Sequence, residues 1–380
     1  MPLSAFPHRK LNEKDVNENP YVQRIAHEFM GWDRVKNFIG ASFQVHVEMF
    51  DSEVGLKSID YLQQITPLLL AISSGSPFMN GKLRLSQEDN EFMAQESSVW
   101  QSVRYPTRVI GSPSGGVIQR PVPESIEEYF KDAHEMLKDG SIPSPARVLG
   151  HHVDFRFRPD LGPNGTIELA VADSFLAHPK KLAAFSAIFK SIAYKVQALI
   201  QSGQSDKIPS NLFSHTLTSE KLEQLHQDSL SVSQYGLNAT ISTPDGSTNT
   251  ARNQYNTLLV WAIKADDSIG FPELPKGVVN ELTASSHEMP DDSLKVWTFD
   301  NGNKIYDPKS SNFIKGFYET GSGTGSDWLI RRAQQIISEG KSEEDAIKIT
   351  STELSGAFHQ YVKELNIQDM LALFSSYHLS

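Results

Sequence analysis

The chain has 380 residues, 39% of them hydrophobic and 21% charged, with no cysteine and a formal net charge of −11 at neutral pH. That length is enough to bury roughly three quarters of the unfolded surface, in one large domain or two. The missing cysteines exclude disulfides, thiolate nucleophiles and cysteine-ligated zinc, and the acidic balance without any run of Lys or Arg argues against nucleic acid or an anionic membrane as partner.

The opening MPLSAFPHRK lacks the apolar core of a signal peptide, and the longest aliphatic run, Leu68 to Ile72, is too short to span a bilayer. A cytoplasmic protein without a membrane anchor is therefore expected. Residues 1–37 are polar and proline-punctuated, with one helical run from Tyr21 to Trp32. Ile39 to Phe50 then reads as a strand in which Gln44, His46 and Glu48 share a face. A His and a carboxylate two apart on a strand can reach a metal or a phosphate; they equally suit an ordinary polar sheet face. Ser52 to Ile72 carries a helical pattern and ends in the loop SSGSPFMNGK, Ser73 to Lys82.

Ser125 to Gly140 predicts a helix with Ser125 and Glu128 as a capping box and a glycine stop. Its His134-Glu135 pair lacks the second His at the spacing a zinc protease needs. The stretch His151 to Ser174 reads as two strands around the turn Gly162-Pro163-Asn164-Gly165. Alternation sets Asp154, Arg156 and Arg158 on one face of the first strand, and Thr166, Glu168 and Ala170 on one face of the second. If the strands pair, Glu168 lies near both arginines. Such a group is either a ligand-facing surface or a plain cross-strand ion pair on a wet sheet.

Pro179 to Gly203 predicts a long amphipathic helix whose Phe185, Ile188, Phe189 and Ile192 stripe is core, and Leu217 to Leu230 another helix. KVWTFDNGNKIYD predicts a hairpin around Asn301-Gly302. GSGTGSDWLIRRAQQ, Gly321 to Gln335, is glycine-rich before a helix but lacks the Gly-Lys-Ser/Thr ending of a phosphate loop. Ser342 to Leu365 closes the pattern as a helix capped by Ser342 with Asp345.

Several of these stretches together resemble the glutamate–cysteine ligase family, the bacterial and plant-type carboxylate–amine ligases. The hairpin fits a D-x-R…R-P-x-L-G…G-T-I-E…D pattern through Asp154, Arg158, Pro159, Gly162, Thr166, Glu168 and Asp173, with Arg156 the alternative to Arg158. QVHVE combines the H-V-H-V and Q-V-N-L-D motifs of the two branches. Ser76, Pro77, Phe78 and Gly81 fit an A-N-S-P-F-x-x-G loop, Ser97 and Trp100 fit R-S-x-x-W, and Tyr235, Gly236, Leu237 and Ala239 fit R-Y-G-L-D-A. GSGTGSDWLIRRAQQ is similar to the G-x-G-A-x-x-Q-R start of the family's C-terminal helix.

The resemblance implies an α+β, glutamine synthetase-like fold: a curved antiparallel sheet binding ATP and Mg2+ on its concave side, with helices outside. It implies a ligase core over residues 38–270, an insertion at 271–320, and C-terminal helices at 321–380 packed on the core. It also implies phosphorylation of a carboxylate by ATP and attack of an amine on the acyl phosphate, joining a glutamate-like acid to an amine as in glutathione biosynthesis. Arg158 or Arg156 would act with Glu168 in catalysis. Glu48, Glu168 and His46 would ligate metal, and His46, Ser76 and Arg331 or Arg332 would contact the nucleotide.

The sequence departs from the pattern at four places. Glu96, Ala170 and Gln234 stand where the family places arginines, and no E-x-E metal motif precedes His46. Beside the ligase reading, the departures support an inactive or incomplete member acting as a binding or regulatory subunit, completed by a partner chain or a homo-oligomer, or a fragment of a longer gene product.

Overall fold

A computed structural model describes residues 43–78, 82–85, 98–103, 122–138, 155–159, 161–287, 298–300, 303–305, 317–318 and 322–373. The helical run expected at Tyr21 to Trp32, and Asp154, Glu96, Ser97 and Gly81, lie outside the described residues. The described chain is of mixed helix and antiparallel strand, as expected for an α+β protein.

Strand β1 (Val45–Glu48) leads into α1 (Ser52–Leu62), whose N-cap Asp51 accepts a bond from Val54 N. The single helix expected through Ile72 is broken by a 3-10 turn at Gln63–Ile65 and restarts as α2 (Thr66–Ser73). Pro67 explains the break: it has no N–H to give and its ring crowds the preceding turn, so it is tolerated only where a helix begins. A short ribbon, β2 (Arg84–Leu85) with β3 (Ser98–Val99), precedes α3 (Ile126–Lys138). Ser125 caps α3 through Glu128 N, while the Glu128 carboxylate reaches one residue further back than a capping box requires, to Glu124 N.

β4 (Phe155–Arg158) and β5 (Thr166–Leu169) pair as the expected hairpin, and β1 adds to the other edge of β5, giving the antiparallel order β1-β5-β4. Gly165, at φ +77°, closes the turn where an added Cβ would meet Pro159 Cα at 2.8 Å and Arg158 O at 2.9 Å, so only glycine fits. Val45, Val47, Phe155, Phe157, Ile167 and Leu169 all point to one side and are buried there. Against them lie α1, Tyr129 of α3 and the long α4 (Pro179–Gln201), with Phe155 5.9 Å from Phe189 of α4 and Phe157 5.0 Å from Tyr129 between ring centres. Each such side chain contributes roughly 1.5–3 kcal/mol by leaving water.

Helix α4 is long and apolar enough to cross a membrane by length and composition. Its apolar character serves the interior: it is enclosed by the sheet, α1, α6 (Ala251–Ile263) and α7 (Lys276–Ser286), beyond α5 (Ser219–Tyr235) and the ribbon of β6 (Thr240–Ser242) and β7 (Thr248–Thr250). Lys195 of α4 donates to Trp261 O at 2.7 Å and Lys264 O at 2.5 Å, capping the C-terminus of α6 with a cation where the helix dipole favours one. Helix α5 runs five residues past its expected end and stops at Gly236, φ +59°, whose N–H bonds Val232 O.

The hairpin expected near Asn301-Gly302 forms from β8 (Thr298–Asp300) and β9 (Asn303–Ile305). Helices α8 (Gly325–Ser338), α9 (Glu343–Glu364) and α10 (Ile367–Ala372) close the chain. Helices α8 and α9 build a second core around Trp328, Leu329, Ile347 and Leu354 that also takes in Phe78 and Leu176. Leu176 sits between two left-handed neighbours, Phe175 and Ala177, and is itself at φ +51°. Such backbone costs about 1–2 kcal/mol per residue. Its side chain wedges against Gly325, where an added Cβ would come within 2.6 Å, and Tyr318 OH donates to its carbonyl at 2.8 Å.

Candidate active site

The register of the three strands assembles one charged face. His46, Glu168 and Arg156 lie in a row across β1, β5 and β4, and Glu48, Thr166 and Arg158 in the next. All six belong to the strand phase opposite the core, so the alternation that buries the apolar residues also gathers the charged ones.

Glu168 is the centre of this face. Arg156 Nη1 donates to its Oε1 at 2.6 Å and Arg158 Nη1 to its Oε2 at 2.9 Å. The carboxylate is 1% exposed while the arginine side chains are 22% and 27% exposed, so the glutamate lies beneath the two guanidiniums it holds. Charge-assisted bonds this short fix the arginines in position. His46 Nδ1 lies 3.1 Å from Thr166 Oγ1, and His46 and Glu48 are exposed. What the face can do chemically is hold an anion whose oxygens match the guanidiniums, such as a phosphoryl group or a carboxylate.

Among the described residues the charged face does not by itself make a Mg2+ cage. Both oxygens of Glu168 are engaged by arginine, and among the described residues no three His, Asp or Glu side chains gather around one point.

Ser76 is placed elsewhere, in a latch behind the sheet. Its hydroxyl donates to Asp173 Oδ2 at 2.7 Å, the same oxygen that accepts Gly75 N at 3.0 Å, and Ser73 Oγ accepts Asp173 N at 3.1 Å. Val103 N bonds Ser76 O at 2.8 Å, and Ser326 N, at the start of α8, bonds Ser74 O at 3.2 Å. Asp173 is thus an organising residue that pattern reading matched without giving it a role. The signal was an acid closing the apolar run Leu169 to Ala172, where burial requires it to be bonded.

Arg332 turns to α9, where Glu353 takes its Nε at 2.8 Å and Nη2 at 2.7 Å. Arg331 beside it is half-buried. Of the three replaced arginines, Ala170 is buried just past β5 and Gln234 lies in the last turn of α5.

Comparison with known proteins bears on this face. Over 211 residues the chain is 24% identical to a candidate glutamate–cysteine ligase 2 of Gloeobacter violaceus, covering 54% of this chain and 49% of that one. Over 160 residues it is 25% identical to a candidate glutamate–cysteine ligase 2-2 of Frankia casuarinae, covering 42% of this chain and 16% of the relative. The chain therefore spans about half the length of one relative and a smaller share of the other. The profile of glutamate-cysteine ligase family 2 matches residues 5–263, a span that takes in the sheet, its charged face and the helices through α6. The chain belongs to glutamate–cysteine ligase family 2.

Proposed function

We propose that this chain is a cytoplasmic, ATP-dependent carboxylate–amine ligase of the glutamate–cysteine type, joining a glutamate-like acid to an amine. The observation that carries the reading is the Arg156–Glu168–Arg158 triad, on one sheet face with His46 and Glu48, in a chain of that family. The three strands would form part of a curved, glutamine synthetase-like sheet with its charged side toward substrate and α1 and α4 behind it.

In the proposed reaction an oxygen of the acid's carboxylate attacks the γ-phosphorus of ATP and the bond to the ADP oxygen breaks. The amine then attacks the acyl carbon, phosphate leaves, and the amine gives up a proton. Charge develops on phosphoryl oxygens throughout, so the work asked of the protein is mostly positioning and electrostatic stabilisation. Arg156 and Arg158 supply it, one to the transferring phosphoryl and one to the acid's carboxylate. Glu168 acts through them as a positioning residue.

ADP release from the purified chain with Mg-ATP, glutamate and mixed amino acids tests this, run beside Arg156→Lys and Arg158→Lys. Lysine keeps the charge but loses the planar fork, so amino-acid-dependent turnover should fall about 100-fold in the variant that touches the phosphoryl group. No ADP with any acid and amine would sink the ligase reading.

A second reading has its own observations: Ala170 and Gln234 in place of arginines, and no cation set among the described residues. On that reading the chain is a binding or regulatory subunit, completed by a partner chain or another copy. It predicts that the isolated chain binds ATP or glutamate without turnover.

A further inference from the structure

A cavity of about 220 Å3 opens between α2, α5, the 212–217 segment and the β6–β7 ribbon, and none of its lining residues belongs to the charged sheet face. Its walls mix aliphatic side chains, Pro67, Leu68, Leu225 and Ile241 among them, with polar ones such as Gln64 and Gln254, and its charged groups are Lys221 and Asp228. Both stand on α5. Seven residues apart, they lie on the same side of the helix and about 10 Å apart along it.

Neither has a counter-ion among the described residues. Asp228 is only 5% exposed; its carboxylate accepts from Gln224 Nε2 and from Ser242 N, each at 3.1 Å, and from the Ser242 side chain, while burial raises its pKa above the ordinary carboxylate value. A carboxylate offers about four acceptor positions, so these three contacts leave room for about one more donor on a residue that lines the cavity. Lys221 donates to Ser214 Oγ and, at 3.3 Å, to Thr216 O, both uncharged. Burial without a cation biases this carboxylate toward its neutral form, and an ammonium arriving beside it would restore the charge and be held by it. Here the partner has room to be a ligand.

We propose that this cavity binds a short apolar peptide with free ends, its ammonium at Asp228, its carboxylate at Lys221 and its aliphatic side chain between them. Opposite charges about 10 Å apart along one helix, with Leu225 between them and Leu68 and Ile241 in the same wall, call for a zwitterion with an apolar middle. The spacing of about 10 Å matches two to three extended residues at about 3.3–3.6 Å each, with the flexible lysine taking up the difference. The site does not depend on the ligase reading, because it uses none of that face's residues.

The test is calorimetric titration of the full chain with alanyl-leucyl-alanine, its N-acetyl form and its C-amide form, alongside Asp228→Asn and Lys221→Met. Saturable binding is expected, weakened at least tenfold by blocking either end. Asp228→Asn should weaken the free peptide tenfold and leave the N-acetyl form unaffected, and Lys221→Met should do the same for the C-amide form. Because Asn can still accept Ser242 N, that variant should keep its thermal midpoint; if it does not fold, the half-exposed Lys221→Met carries the comparison alone. No saturable binding at millimolar peptide, or equal binding of free and blocked peptides, would overturn the proposal.

Discussion

Glu168 holds two arginines with two oxygens, and the consequences of removing its charge follow from that count. In Glu168→Gln the shape is kept, but one oxygen becomes an NH2 that faces a guanidinium donor, and the carboxylate charge between the two arginines is lost. Breaking a buried ionic group by deleting one partner costs about 3–5 kcal/mol, and the quarter-exposed arginines put this case near the lower end, about 3 kcal/mol. Urea unfolding should show a lower midpoint with an unchanged slope. The midpoint should recover partly at high salt, since added ions screen the arginine pair. A midpoint equal to the wild type would mean that the arginines are held by other groups. Much of this was legible from alternation alone: period two places Arg156, Arg158 and Glu168 on one face, and the short turn brings them across from one another. That both oxygens are engaged was not legible, because it depends on side-chain rotamers and on β1 adding to the far edge from more than a hundred residues away.

Elements were readable in proportion to how local their causes are. The helices α3, α4 and α9 and the two hairpins carry their caps, stripes and turn residues within the segment, and they lie close to where the sequence puts them. The break at Pro67 was equally local and was passed over because the apolar pattern continues through it. α10 was missed altogether. It has six residues and no buried stripe, so its place comes from docking. That docking rests on Gly277 near the start of α7, where an added Cβ would stand 2.9 Å from Leu373 Cα and 3.0 Å from its carbonyl oxygen. These are backbone atoms and cannot swing aside. Gly277→Ala should therefore push the end of α10 away from α7 while raising the intrinsic helix propensity of α7 by up to about 1 kcal/mol. Hydrogen exchange of the amides of residues 367–373 should speed up in the variant, with the amides of α4 unchanged. Equal exchange in both proteins would place the docking contact elsewhere.

At the scale of the whole molecule, two cores are tied through Asp173 and the strained turn after it, and several ionisable groups are sealed in the process. Lys181 is buried, bonded to Ser285 Oγ and 5.3 Å from the centre of the Phe317 ring; burial pushes its ammonium down to about 8. Lys195, 4.7 Å from the centre of the Phe271 ring, is likewise pushed down to about 8 by burial. Between pH 8 and the ordinary lysine range the unfolded chain therefore holds protons that the folded chain has released, so stability rises with pH there. Tyr255 and Tyr318 are raised by burial, and Tyr361 is raised to about 12, so above pH 10 the unfolded chain releases tyrosine protons that the folded one retains, and stability falls. The expected profile climbs from pH 8 to about 10 and then turns down, whereas most proteins are most stable between about pH 5 and 8. From pH 8 to 10 Lys181 should contribute about 2 kcal/mol, at 1.36 kcal/mol per unit. Urea midpoints across that range should rise in the wild type and rise less in Lys181→Met, where Ser285 still donates to Glu281 O at 3.0 Å. A flat or falling wild-type profile would show that both lysines stay charged in the folded protein, which would require water or an acid to reach them.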